Sequence, residues 1–288
     1  MRNKIIQHIF EIADKPNAFS VLEKEVSKYS KTDLFNTIIQ VGILPECFGH
    51  DTTEEKIWSK YSDILLAQCL NNIGGIEAKV LGTRGNSADV IGHTNNYSMV
   101  ADAKTFRLSR TAKNQKDFKV SALDSWRGDN NFSMLVGPLF QYPKRTSQIY
   151  KQAITRNVTL YSYTHLKFVM GVNPKTDLKQ IFDIGSLLKK ELTGNEQLKA
   201  ASYWSKIDEI TLKVTGSNAM ELEGYKQETI KTTQGLGNEG VSYWNNIIEE
   251  IKKLPREEAI KELIKARKID QKIKVIKKAI NGLNMYNN

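Results

Sequence analysis

An apolar run, Tyr97-Ser98-Met99-Val100-Ala101, ends in Asp102-Ala103-Lys104. Val100 and Ala101 mark this as a strand buried on at least one face, and a buried acid is costly unless a partner or a metal ion meets it. Residues two apart on a strand share a face, so Asp102 and Lys104 lie side by side. A second acid, Asp89, opens the apolar Asp89-Val90-Ile91 thirteen positions earlier. With Gly92-His93-Thr94-Asn95-Asn96 as the hairpin loop, Asp89 faces Asp102 and Lys104 across the two strands. A sheet built this way can gather two carboxylates and an ammonium at one place, where otherwise they would be three charged residues at strand ends.

Around this hairpin the hydrophobic period sorts the chain into helices and strands. Ile5, Ile6, Ile9, Phe10 and Ile12, then Val21, Leu22 and Val26, then Leu34, Phe35, Ile38 and Ile39 recur at helical spacing, and Gly42 and Pro45 end this layer. A longer helix is predicted from 53 to 73, with Thr52 and Glu55 as a capping box and Gly74 as its stop. Strands are predicted over 77–81 leading into 89–91, then 99–104, 132–136 and 158–163, with helices at 116–126 and 147–154 between them. Strands in sequence with returns through helices predict an α/β fold, a mixed sheet covered by helices on both faces.

Beyond residue 166 the pattern weakens, because Gly185, Gly194, Gly216 and Gly224 interrupt short polar segments. Gly235-Leu236-Gly237-Asn238-Glu239-Gly240 has no strand before it and no Lys-Ser/Thr after it, so it reads as a flexible connection and not as a phosphate loop. Two helices follow, at 243–254 and 257–280. From Lys252 to Lys278 there are eleven basic residues and four acids, with an apolar stripe expected to pack on the protein's own core.

The formal charge of +10 points to a polyanionic partner, most often nucleic acid. No apolar run approaches the roughly 20 residues that span a bilayer, and 1–15 lacks the apolar stretch of a secretory signal, so no membrane partner and a cytoplasmic location are expected. Cys47 and Cys69 are too isolated for a disulfide framework or a zinc site. His8, His50, His93 and His165 are scattered, which leaves little room for a His-based metal centre.

The chemistry that remains is that of Asp89, Asp102 and Lys104. Asp89 and Asp102, with the backbone carbonyl of Ala103 as a third oxygen, suit Mg²⁺. Lys104 would orient a water or stabilise a charged transition state, which is what hydrolysis of a phosphodiester needs. Glu55 adds a carboxylate if its helix packs across the sheet, and it also suits the helix dipole as a capping acid. Asp63 and Glu77 are weaker candidates. From Lys104 to Lys119 six basic residues accompany one acid. Arg107, Arg110 and Lys113 suit phosphates, Asn114, Gln115 and Asp117 are side chains that read base edges, and Lys116 and Lys119 are further DNA contacts of the same run. Arg84 and Asn86, just before Asp89, form a second and smaller phosphate-contacting loop.

Val100 to Lys104 followed by Phe106 to Val120 resembles the HindIII-type family of type II restriction endonucleases nearly without change. Val41-Gly42-Ile43-Leu44-Pro45-Glu46, Glu55-Lys56, Phe140-Gln141-Tyr142-Pro143 and Ser147-Gln148-Ile149 are similar to it as well, and the likeness is strongest over residues 32–166. The resemblance implies the PD-(D/E)XK nuclease core of the EcoRI-like branch, although Ala88 stands where the motif has its proline. It implies Asp89, Asp102 and Lys104 as the catalytic set, Mg²⁺ as cofactor, and base contacts within 112–117, a segment that includes Ala112. It further implies a homodimer that cleaves double-stranded DNA at the palindrome AAGCTT after the first A, leaving 5′ overhangs, with a companion DNA methyltransferase as a genetic partner only. The organisation expected is an N-terminal helical segment at 1–50, a catalytic core at 51–166 with its DNA-contacting loop at 105–120, and a mainly helical region at 167–288 packed on that core. The alternatives are a junction-resolving or repair nuclease on the same core, and a DNA-binding protein without catalysis.

Overall fold

Five strands lie side by side in chain order: β1 (Glu77–Val80), β2 (Val90–His93), β3 (Ser98–Ala103), β4 (Phe132–Gly137) and β5 (Val158–Ser162). This computed structural model describes every residue except Gly74, 83–86, 111–114, Thr146, Lys175, 192–198 and 284–288. β1, β2 and β3 are antiparallel neighbours, and β4 and β5 continue the sheet in parallel, so the sheet is mixed as the sequence pattern predicts. The stretch expected to run from 77 into 89–91 is two strands, joined beyond their paired ends by Leu81 N–H donating to the Asp89 carbonyl at 2.8 Å. Nearly every residue of β3, β4 and β5 is buried. Successive strand residues point to opposite sides, so both faces of these three strands are covered.

Helices α1 (Arg2–Ile12), α2 (Ala18–Val26) and α3 (Lys31–Val41) precede α4 (Thr53–Asn71), which crosses β1, β2 and β3. The Thr52 hydroxyl caps α4 by accepting from Glu55 N–H, but the Glu55 carboxylate takes Asp51 N–H instead of closing the box. Asn72 caps the far end, and Gly74, expected as the stop, lies outside the described residues. The helix predicted at 116–126 is broken into α5 (Gln115–Phe118) and α6 (Val120–Trp126) by Lys119, whose φ is +47°. That break lets Phe118 stack on Tyr142 at 5.1 Å while Val120 and Leu123 are also buried, which a straight helix does not achieve with these positions. After β4 and a single turn at Leu139–Gln141, α7 (Gln148–Arg156) returns the chain to β5.

Gly42, just after α3, lies where a side chain cannot fit. A Cβ there would stand 2.8 Å from the Tyr163 ring and 2.9 Å from Pro138. Tyr163 opens α8 (Tyr163–Val172), which is followed by α9 (Lys179–Phe182), α10 (Ile184–Glu191) and α11 (Ala200–Thr215). Gly216, with φ +67°, ends α11 in the left-handed conformation that glycine adopts without strain.

The connection expected at 235–240 is not a loop. It lies inside α12 (Ala219–Lys253). Each glycine in a helix interior costs about 1 kcal/mol relative to alanine. Packing elsewhere on the helix offsets this: Leu222, Thr229 and Leu236 are buried, Lys226 pairs with Asp208, and Lys167 with Glu228. Gly240 in return allows close approach, since a Cβ there would sit 3.2 Å from Glu46.

The chain divides into two compact units, Met1–Gly240 and Val241–Asn288. The second holds the end of α12, then α13 (Arg256–Ala266) and α14 (Ile269–Leu283), a pair separated at Lys268 with φ +52°. The single helix predicted at 257–280 is thus two, and the helix predicted at 243–254 is the end of α12. Within this unit α13 buries no residue, and Ile260, Leu263, Ile269, Ile273 and Ile276 are exposed. No described helix is long and apolar enough to cross a membrane.

Candidate active site

The hairpin register decides where the acids go. β2 and β3 pair as His93 with Ser98, Gly92 with Met99, Ile91 with Val100 and Val90 with Ala101. One step further along the same register sets Asp89 opposite Asp102. Asp102 is near the C-terminal end of β3, where parallel neighbours β3 and β4 leave the crevice that sheets of this kind use for ligands. The residue is 2% exposed, and its carboxylate is ion-paired to Lys104, two residues on and on the same face.

A third acid joins from α4. Because β2 ends its pairing at Val90, the N–H of Ala103 on that side of β3 has no strand partner among the described residues, and Asp63 accepts it at 3.3 Å. Carboxylate oxygens of Asp63, Asp89 and Asp102 all lie within 4.8 Å of one another. Burial, then the charges of Asp89 and Asp102, push the Asp63 carboxyl well above its ordinary range. Asp89 is raised too, by burial and by Asp102, while Lys60 and Lys104 pull against the shift. Lys60, one helical turn before Asp63, brings its ammonium 3.7 Å from Asp89.

This oxygen-only set is what a hard divalent cation takes, and the crowding of three acids against two lysines is a surplus of negative charge that a cation relieves. The Ala103 carbonyl belongs to the same strand end. Lys104 is fixed at its backbone as well, its N–H donating to the Val136 carbonyl at 2.7 Å and its carbonyl accepting from the Tyr163 hydroxyl at 3.0 Å. The contact between Tyr163 and Gly42 therefore bears on how Lys104 is held.

Glu55 does not join these acids. It forms a separate group with His50 and Asp51, and its carboxylate is 3.3 Å from Arg107. The reason is its place at the first turn of α4, where the Asp51 N–H and the Arg107 guanidinium satisfy it. Glu77 lies exposed on the edge strand β1.

After Lys104 the chain is strapped to the segment behind α3. Phe106 N–H donates to the Gly42 carbonyl at 3.0 Å and Leu44 N–H to the Phe106 carbonyl at 3.1 Å. Arg107 donates to the carbonyls of Phe48 at 2.5 Å and Gly49 at 2.9 Å, so its guanidinium, expected on a phosphate, faces its own chain. Ser109 donates from both N–H and hydroxyl to Glu46. Arg110 pairs with Asp117 and lies over the Phe106 ring, and Lys119 lies over Trp126. Gln115 and Lys116 open α5. Arg84, Asn86, Ala112, Lys113 and Asn114 lie outside the described residues.

Asp63 was a weak candidate from sequence and Lys60 none at all. Both lie on the side of α4 turned away from the apolar stripe of Ile57, Trp58, Tyr61, Leu65 and Cys69, and their spacing of three was the available signal that they share a side of the helix. Comparison with known proteins places the chain among relatives. A family model described as HindIII restriction endonuclease matches residues 5–280. The type II restriction enzyme HindIII of Haemophilus influenzae is 35% identical over 262 residues, covering 90% of this chain and 87% of that protein.

Proposed function

Because the chain belongs to the HindIII restriction endonuclease family, and is thereby a type II restriction endonuclease, we propose that it hydrolyses double-stranded DNA at AAGCTT after the first A, using Mg²⁺ held by Asp89, Asp102 and the Ala103 carbonyl. The observation that carries this reading is the convergence of Asp63, Asp89 and Asp102 within 4.8 Å beside Lys104 at one strand end. The PD-(D/E)XK core is part of the proposal, supported by the mixed five-stranded sheet with Asp102 and Lys104 at the end of its third strand.

A divalent cation bound there supplies positive charge to the scissile phosphate and makes nearby water more acidic. Lys104 orients the attacking water and meets the charge that develops on the phosphoryl oxygens; its ammonium is steered by Asp102 and its backbone is fixed by Val136 and Tyr163. Asp63 holds the strand end in place through Ala103 N–H and offers a further carboxylate oxygen from the α4 side. The segment 105–120 carries DNA contacts, with Ala112 to Asp117 and Lys119 nearest the bases, Arg110 on the backbone, and Arg84 and Asn86 on a flanking phosphate. Arg107 acts in this scheme as the strut of that segment. A homodimer, one copy per strand of the palindrome, meets the symmetry of the site and gives 5′ overhangs. A companion methyltransferase protects the host's own AAGCTT sequences, and the enzyme works in the cytoplasm.

Incubation of the purified protein with plasmid DNA and Mg²⁺, followed by sequencing of the ends, tests this directly. Discrete fragments that all begin AGCTT support the proposal. Fragments opening at another sequence, or a smear, refute the assigned specificity. Binding to the specific duplex should fall by on the order of 10³ to 10⁵ between low and moderate salt if ~6 to 10 phosphates are neutralised.

A further inference from the structure

Lys60 stands outside every motif that marked the site, yet its ammonium touches both lips of the gap between β1 and β2. It donates to the Leu81 carbonyl at 3.2 Å and lies 3.7 Å from a carboxylate oxygen of Asp89. Leu81 and Asp89 are themselves joined backbone to backbone at 2.8 Å. The side chain is only 20% exposed, and it shares its face of α4 with Asp63. The charges that face it are Asp89 from the start of β2, Asp63 on its own helix, Asp102 on β3 and Lys104 just beyond β3.

We propose that Lys60 is a positioning residue of the metal site, whose ammonium, anchored on the Leu81 carbonyl, holds the Asp89 carboxylate toward Asp63 and Asp102 before a divalent cation arrives and opposes that cation once it binds. This rests on the reading that the three acids hold a divalent cation. The two roles pull affinity in opposite directions, and a variant that keeps the tether while losing the charge tells which one dominates. A lysine that only props up the loop strengthens cation binding, because removing it scatters the ligands. A lysine whose charge competes at the site weakens binding, because two unit charges about 4 Å apart repel by ~1 kcal/mol even in water and a divalent ion doubles that. At ~1.4 kcal/mol per tenfold, the competition amounts to about one order of magnitude.

The test is Mn²⁺ titration of the full-length protein without DNA, by calorimetry at pH 8, on wild type, Asp102→Asn, Lys60→Gln and Lys60→Arg. Glutamine keeps an N–H for the Leu81 carbonyl and removes the charge, so it separates tether from repulsion. Lys60→Gln is expected to bind Mn²⁺ about tenfold more tightly than wild type, and Lys60→Arg to return to the wild-type value. Unchanged or weaker binding by Lys60→Gln overturns the role assigned to Lys60 while leaving the site itself standing, provided Asp102→Asn loses the ion. If wild type takes up no Mn²⁺, or Asp102→Asn binds as wild type does, the reading of the site fails and Lys60 falls with it.

Discussion

Replacing Asp63 by asparagine should make the metal-free enzyme more stable, and increasingly so as pH rises. Asp63, Asp89 and Asp102 bring carboxylate oxygens within 4.8 Å of one another. At an effective dielectric of about 20, two unit charges at that distance repel by roughly 3 to 4 kcal/mol. Lys104 is paired with Asp102 and Lys60 lies beside Asp89, which leaves Asp63 as the acid least compensated and with its carboxyl held well above the ordinary range by burial first and by its neighbours second. An acid with a raised folded pKa retains a proton that the unfolded chain has released, so stability is lost as pH climbs from about 3.9 toward the folded value. Protonation of Asp63 limits the loss to on the order of 1 to 3 kcal/mol, the usual cost of a poorly compensated buried polar group. Asparagine keeps an oxygen for Ala103 N–H and offers its amide to the neighbouring carboxylates. Thermal unfolding in EDTA should therefore show the Asp63→Asn variant melting higher than wild type at pH 8, by a few degrees to about ten, with the gap shrinking at pH 5. Added Mn²⁺ should close the gap by supplying the counter-charge to wild type. A melting point for Asp63→Asn equal to or below wild type at pH 8 refutes the reasoning, because it makes the carboxylate a net stabiliser of the strand end.

Lys104→Met should lower the cleavage rate by about 10² to 10³-fold, the loss typical of one transition-state donor, with binding of the specific duplex retained in a gel-shift assay; a rate within fivefold of wild type would count against its role. Gly42→Ala drives a Cβ to 2.8 Å from the Tyr163 ring and is expected to destabilise by ~1 to 3 kcal/mol in a urea titration, with cleavage reduced beyond the loss of folded protein because Tyr163 supports the Lys104 backbone. Arg107→Ala should leave the salt dependence of DNA binding unchanged in slope while reducing discrimination between AAGCTT and single-base variants, since its guanidinium holds the carbonyls of Phe48 and Gly49; a slope smaller by about one shows that it contacts a phosphate after all.

Much of this site was legible because it is local. Asp102 and Lys104 share a strand face by the two-residue period alone, and Asp89 meets them through a hairpin whose loop and apolar flanks are contiguous in the chain. Asp63 and Lys60 were not legible in the same way. They reach the acids only because α4 crosses β1, β2 and β3, and the rotation of a helix about its axis against a sheet is set by packing far from either residue. Glu55 shows the converse: its position two turns earlier on α4 sends it to Asp51 and Arg107, so a carboxylate on the right helix still misses the site. Glycines misled the reading of 235–240, where long-range ties from α12 to Asp208 and Lys167 outweigh the weak helix propensity of three residues. The break at Lys119 was equally hidden, since nothing in an apolar period announces one residue in a left-handed conformation.

Anomalous diffraction from crystals grown with Mn²⁺ would put the central claim to its most direct test. The expected result is a peak ~2 to 2.6 Å from carboxylate oxygens of Asp89 and Asp102. A peak confined to His50, Asp51 and Glu55, or density at neither group with duplex DNA bound, would contradict it.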